Sequence, residues 1–153
     1  MAEDASIAPG TEIQVGAPKD ELSPHLELGL RDVLQDLHAD IAFAYVPMVA
    51  FPGRSATKVL VVFLRGKTDV DAALARIGDA VGDLVERLTA DHGKSAVEDL
   101  DLLPVSLARP LDGLAQAVLL TDTMLHVNDS EAWRRARRPP AWWRRLWPFA
   151  SGR

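Results

Sequence analysis

The 153-residue sequence contains no cysteine, which excludes disulfide bridges, thiolate zinc sites, iron–sulfur clusters and thiol nucleophiles. No uninterrupted apolar run approaches the roughly 20 residues that a helix needs to cross a bilayer. The first residues also lack the basic stretch followed by an apolar stretch that marks a secretory signal. We therefore expect a cytoplasmic protein whose length suits one globular domain with a sizeable core.

Sequence motifs for catalysis are also missing. The chain has no G-x-S-x-G, no G-x-x-x-x-G-K-[ST], no G-x-G-x-x-G and no H-E-x-x-H. None of the four histidines stands at a metal-ligand spacing from another, and the carboxylates are spread over predicted helix faces and turns. We predict no catalytic residue, no cofactor and no metal. The alternative is a small enzyme whose cleft combines scattered carboxylates with a histidine, because such groups can meet in space without a motif.

Charge and tryptophan are unevenly distributed. Residues 1–130 contain 10 basic and 21 acidic side chains, a net charge of −11, whereas residues 131–153 contain seven arginines and one glutamate, a net charge of +6. All four tryptophans lie in the last 23 residues. This contrast predicts three units: a disordered lead-in at 1–10, an acidic domain at 11–128 and a basic, tryptophan-rich tail at 129–153.

The first half of the acidic domain has clear local signals. After a short extended stretch at 11–15, Ser23 and Pro24 predict a helix start, because serine caps free backbone N–H groups and proline is tolerated at the first helical position. The apolar stripe of this helix has helical spacing. It consists of Leu22, Leu26, Leu30, Val33 and Leu37.

In residues 41–49 larger and smaller side chains alternate with the two-residue period of a strand. The face with the bulky side chains is predicted to contain Ile41, Phe43 and Tyr45. The opposite face contains Ala42, Ala44 and Val46. Pro47, which cannot donate to a strand ladder, predicts an edge or a bulge at the end of this strand.

The second half begins with six consecutive apolar residues, Val59–Leu64, which indicate a central strand covered on both faces. Thr68 is predicted to cap the long helix that follows. Gly78 and Gly82 flank the apolar stripe of this helix and indicate either a close backbone neighbour or simple tolerance. The stripe consists of Val70, Leu74, Ile77, Val81, Leu84 and Leu88.

The remaining segments complete the predicted fold. A strand is expected at 100–107, a short helical turn at 113–120 and an extended piece at 123–127. The main order is β-α-β-β-α-β. It predicts an α+β fold of the ferredoxin-like or a similar split βαβ type, with two helices packed on one face of an antiparallel sheet.

The acidic domain resembles the C-terminal domain of the bacterial enhanced serine sensitivity (SseB-type) proteins. The resemblance spans residues 11–128 and follows from pattern and order in five places. These are Ile13–Pro18, the leucine-rich helix ending near Leu37, Ala44-Tyr45 with Val59–Leu64, the long amphipathic helix, and Leu102–Val105. It implies a small bacterial cytoplasmic domain without a settled biochemical activity and without a catalytic set to transfer. This chain departs from the family in lacking its additional N-terminal domain and in carrying the Trp/Arg-rich tail.

The tail contains the sharpest functional signal. Ser130 or Asp129 can cap a helix at 131–138, which Pro139 and Pro140 then stop, and a further amphipathic turn can begin at Ala141. Indole rings beside guanidinium groups are typical of docking surfaces. The predicted docking residues are Trp133, Arg134, Arg135, Arg137, Arg138, Trp142, Trp143, Arg144, Arg145, Leu146 and Trp147.

Three surfaces suit such a tail: an anionic membrane, a partner protein and the acidic domain of the same chain. Nucleic acid is disfavoured, because the domain lacks a broad basic footprint. The sequence therefore predicts a non-enzymatic, SseB-like binding or regulatory module in the cytoplasm, peripherally attached to a membrane if the tail meets lipid.

Overall fold

The computed structural model describes residues 13–138. The predicted lead-in at 1–10 and the part of the tail after Arg138 lie outside this range. The strands are β1 (Gln14–Gly16), β2 (Ile41–Tyr45), β3 (Met48–Ala50), β4 (Thr57–Leu64), β5 (Asp101–Ser106) and β6 (Met124–Val127). The helices are α1 (Pro24–Asp36), α2 (Val70–His92), α3 (Gly113–Leu119) and α4 (Ser130–Arg137), with a 3-10 turn at Lys94–Ala96.

The strands form one mixed sheet centred on β4. Strands β2 and β3 both pair antiparallel with β4, β6 pairs antiparallel with β2, and β1 pairs antiparallel with β3. On its other side β4 pairs in parallel with β5. The sheet is therefore antiparallel at every described pairing except the one between β4 and β5, which α2 connects.

The alternating side chains of β4 divide the core into two layers. Leu60, Val62 and Leu64 pack with α1 and α2 on one face. Val61 and Phe63 pack with α3 and α4 on the other. All five are at most 1 % exposed, so the prediction of a central strand covered on both faces is confirmed.

The predicted faces of β2 are partly wrong. A register shift between Ile41 and Phe43 interrupts the pairing with β4, and such an irregularity changes the side to which a side chain points. Ile41 therefore packs with α1 and α2, whereas Phe43 and Tyr45 pack with α3 and α4. Pro47 lies between β2 and β3, and its carbonyl accepts a hydrogen bond from the Val59 N–H, so the single strand predicted at 41–49 is interrupted near the proline.

The two long helices begin at capping side chains. The Ser23 hydroxyl accepts a hydrogen bond from the Leu26 N–H, and Pro24 is the first residue of α1, as predicted. The prediction for α2 was one residue early, because its cap is Asp69, whose carboxylate accepts from the Ala72 N–H. In α1 the deepest stripe also includes Leu34, which is fully buried.

Gly29 of α1 lies against the side chain of Leu84 in α2. A Cβ atom at this position would collide with the side chain of Leu84 in α2. Gly78 and Gly82 have open space around them, so tolerance rather than a close neighbour accounts for these two glycines.

These observations confirm the α+β class and the packing of two helices, α1 and α2, on one face. The order of elements and the helix packing are consistent with a split βαβ fold, although β4 and β5 are direct neighbours. The layer formed by α3 and α4 on the second face adds to the predicted architecture.

We expect Gly29→Ala to destabilise the protein relative to Gly78→Ala. Both substitutions gain helix propensity, but only the first forces buried Leu84 to repack, at a cost of about 1–3 kcal/mol. Urea unfolding of the two variants and the wild-type chain measures this difference in the free energy of unfolding. Equal stabilisation by both substitutions would contradict the described α1–α2 contact.

Candidate functional site

The start of α4 is fixed by Asp129. Its carboxylate accepts a hydrogen bond of 3.0 Å from the Ala132 N–H and forms an ion pair of 2.9 Å with Arg65. The hydrogen bond from Ala132, aided by the Arg65 guanidinium and opposed by partial burial, holds the pKa of Asp129 below its usual value. The cap is therefore ionised at neutral pH and stabilises the positive end of the helix.

The link between β6 and α4 is held to the sheet. The backbone N–H groups of Asn128 and Asp129 both donate to the carbonyl of Ala42. The Asn128 side-chain amide donates to the carbonyls of Leu34 and Ile41, at 2.8 and 3.0 Å. These bonds set the direction in which α4 leaves the sheet.

Trp133 fastens α4 to the core. Its indole N–H donates a 2.8 Å hydrogen bond to the hydroxyl of Tyr45, which is 2 % exposed. Tyr45 belongs to an aromatic cluster in which Phe43 and Phe63 stack with ring centroids 4.4 Å apart. The guanidinium of Arg137 lies 4.7 Å from the centre of the Trp133 ring, within cation–π range.

The first part of the predicted tail therefore packs on the domain of the same chain. Ala132 is buried and Trp133 is half-buried against the core. Packing thus continues past the boundary predicted at residue 129 and includes α4. Trp133 contacts its own domain, and the surface that the rest of the tail meets stays a prediction.

A groove with a volume of about 1020 Å³ lies between α3 and α4. We call it the α3–α4 groove. Its floor consists of buried or half-buried apolar side chains, and its rim is exposed. The floor contains Leu107, Leu111, Leu119, Ala132 and Ala136. The rim contains Arg109, Leu120, Asp122, Arg135, Arg137 and Arg138.

The rim is strongly basic, with four arginines and one aspartate. Arg135 also pairs with Glu131 at 3.6 Å, but both side chains are largely exposed, and such pairs contribute little. Leu120 lies on the same rim and, at 89 % exposed, is the most exposed large apolar side chain among the described residues. We call the four rim arginines and Leu120 the basic face.

The opposite face of the sheet carries the opposite charge. Helices α1 and α2 together contain eight acidic and three basic residues. Helix α3 contains no charged residue, and α4 contains one acidic and three basic residues. The helices on the two faces therefore differ in charge, with a net charge of −5 for α1 and α2 together and +2 for α3 and α4 together.

The predicted docking residues fall into four groups. Arg135, Arg137 and Arg138 lie on the groove rim, Trp133 lies on the face of α4 that packs against the core, and Arg134 is exposed outside the groove lining. The remaining six lie outside the described residues: Trp142, Trp143, Arg144, Arg145, Leu146 and Trp147. The sequence interpretation missed Arg109 and Leu120, because no local signal shows that the turn after β5 and the end of α3 meet α4.

The other polar candidates do not gather at the groove. His25 at the start of α1 and His92 at the end of α2 stack with their ring centroids 3.8 Å apart, a contact that no feature of the sequence predicted. Within residues 13–138 no three histidine or carboxylate side chains are grouped as metal ligands. The rim contains one carboxylate, Asp122, and no histidine. The enzyme alternative therefore stays a prediction.

No protein-family model, curated protein or solved structure matches the chain. The resemblance to the SseB C-terminal domain therefore stays a prediction. None of the helices within residues 13–138 combines the length and apolar character that crossing a bilayer requires.

We expect Asp129→Ala to lower the free energy of unfolding at pH 7 by about 1 kcal/mol, because α4 loses its cap. Asp129→Asn should lower it less, since asparagine retains the cap and loses only the charge paired with Arg65. The pKa of Asp129 is lower in the folded chain than in the unfolded one. Its stabilisation is therefore present above about pH 3.9 and is lost as the pH falls through the folded-state value. Urea unfolding should show the gap between wild type and Asp129→Ala narrowing below that pH, and a constant gap would contradict the assigned role.

A second prediction concerns the bond between Trp133 and Tyr45. Trp133→Phe leaves the buried Tyr45 hydroxyl without its partner and should cost about 1–3 kcal/mol. In a double-mutant cycle with Tyr45→Phe, the coupling energy should be about 0.5–1.5 kcal/mol. Chemical unfolding of the four chains measures it, and additive effects would contradict docking of α4 through this bond.

Proposed function

We propose that this protein is a non-enzymatic binding module that docks reversibly on an anionic membrane surface. Docking uses the basic face and the Trp/Arg-rich sequence that follows Arg138. The observation that carries the proposal is the charge polarity across the sheet, which gives one side of the molecule four arginines around an exposed leucine.

The net acidic composition of the domain does not oppose this docking strongly. Helix layers on opposite faces of a sheet are separated by two packing distances, about 20 Å. The Debye length at physiological salt is about 8 Å, so charges on the distant layer are largely screened. An anionic surface that approaches the basic face therefore interacts mainly with its arginines, each of which contributes about 1 kcal/mol.

The sequence after Arg138 supports the same proposal. Arg138 lies on the groove rim, and residues 142–147 of the sequence read Trp-Trp-Arg-Arg-Leu-Trp. Tryptophan is favoured at the level of lipid headgroups, and arginine attracts anionic lipids. The two parts of the predicted tail thus have separate roles in this proposal: α4 supplies a rigid basic face, and the following sequence supplies the amphipathic contact.

We expect the protein to co-sediment with phosphatidylcholine vesicles that contain phosphatidylglycerol, and to be released at high salt. Arg135→Gln with Arg138→Gln should weaken binding about 10- to 30-fold, because two charges leave the basic face. Arg54→Gln with Arg87→Gln is the matched control, since it removes two exposed arginines that lie outside the groove.

A second arm of this experiment removes residues 139–153. The cut follows Arg138 because a deletion that included α4 would uncover the aromatic cluster beneath Trp133. The truncated chain should stay folded and bind vesicles more weakly. If the control pair weakens binding as much as the pair on the basic face, or if neutral vesicles bind equally well, the proposed docking is wrong.

A further inference from the structure

The α3–α4 groove has the layout of a site for an amphiphile. Its floor is apolar, with Leu119 and Ala132 only 6 % and 7 % exposed, whereas its arginines stand exposed on the rim. A volume of about 1020 Å³ lies at the upper end of the range for small-molecule sites. A flat charged patch would suffice for attraction to a membrane, so the concave apolar floor calls for a ligand with an apolar part.

The neutral polar groups of the lining are already engaged. The Gln116 side-chain amide donates to the Leu111 carbonyl at 2.9 Å, and the Thr121 hydroxyl donates to the Val118 carbonyl at 2.6 Å. The guanidinium groups are therefore the main donors that face a ligand. Among the described residues, neither Arg109 nor Arg138 forms an ion pair.

The position of Arg137 and the geometry of the guanidinium group both favour phosphate binding at the rim. Arg137 is positioned over the Trp133 ring, and the hydrogen bond to Tyr45 holds that ring in place. Arginine binds phosphate through paired N–H donors, and its planar group keeps this geometry. Asp122 is the one acidic side chain among the rim residues, and Glu131 pairs with Arg135, so a net charge of two positive units remains for a phosphate.

We propose that the α3–α4 groove binds one acidic phospholipid, with its phosphate on the rim arginines and an acyl chain on the leucine floor beside Leu120. This inference rests on the proposed function, because it assumes that the basic face meets an anionic bilayer. It goes further by assigning a saturable site for a single lipid. A lipid is favoured over a protein segment because docking of this face places the groove opening against lipids at high local concentration.

The test uses dihexanoyl phosphatidylglycerol below its micelle concentration, with dihexanoyl phosphatidylcholine and inorganic phosphate as separate ligands. Calorimetric titration of the full chain should show one phosphatidylglycerol bound per chain and binding of phosphatidylcholine about tenfold or more weaker. Inorganic phosphate should bind more weakly than phosphatidylglycerol, because it has no acyl chain to cover the apolar floor of the groove. Amide chemical shifts should change in α3, α4 and residues 107–111, and not in α1 or α2.

Leu120→Gln removes the apolar contact to the acyl chain and leaves the charge of the rim unchanged. It should weaken phosphatidylglycerol binding about fivefold or more and leave phosphate binding unchanged. Leu28→Gln on α1 is the matched control, since Leu28 is also an exposed leucine, at 61 %, and lies on the acidic side. Both side chains are exposed, so both variants should keep the wild-type unfolding midpoint.

The outcomes distinguish this inference from the proposed function. Vesicle binding without saturable binding of the short-chain lipid would overturn the lipid site and leave membrane docking intact. Equal affinities for phosphate and phosphatidylglycerol would reduce the groove to an anion site and overturn the acyl contact. Binding of an acidic amphipathic peptide, with no lipid binding, would overturn the inference in favour of a protein ligand.

Discussion

The double burial of strand β4 is the constraint on which the rest of this structure depends. Because six consecutive side chains are apolar, water must be kept from both faces of the strand, and one helix layer cannot do this. Each of these side chains contributes about 1.5–3 kcal/mol when fully buried. The exposed ion pairs contribute about 0–1 kcal/mol each. Helix α4 is therefore part of the folded unit chiefly because its Ala132 and Trp133 help to cover the second face.

This constraint also accounts for the candidate site. Covering the second face brings α3, the turn after β5 and α4 together, and the space left between them is the α3–α4 groove. Arg135 and Arg137 of α4 are exposed and lie at the rim. The acidic residues of α1 and α2 lie across the sheet. A charge contrast that runs along the chain in sequence thus becomes a contrast between two faces of one domain.

Local patterns predicted most of the elements, because their causes are local. Ser23 capped its helix as expected, and the break at Pro47 followed from a missing N–H group. The predictions were wrong where contacts with other residues determine the local structure. The register shift after Ile41 depends on pairing with β4, and the role of Asp69 depends on which of two adjacent polar side chains reaches the first free N–H group. The sequence predicted the arginines of α4 as docking residues and gave no signal for Arg109 or Leu120.

The sequence by itself determined the α+β class, the order of the helices and main strands, and the concentration of tryptophan and arginine near its end. These properties follow from composition, periodicity and capping, which act over a few residues. Only the tertiary structure decided that α4 packs on the aromatic cluster through Trp133 and Tyr45, and that a groove forms beside it. The physical reason is distance along the chain. Contacts between residues 88 positions apart depend on how the layers pack around β4, and no local pattern encodes that arrangement.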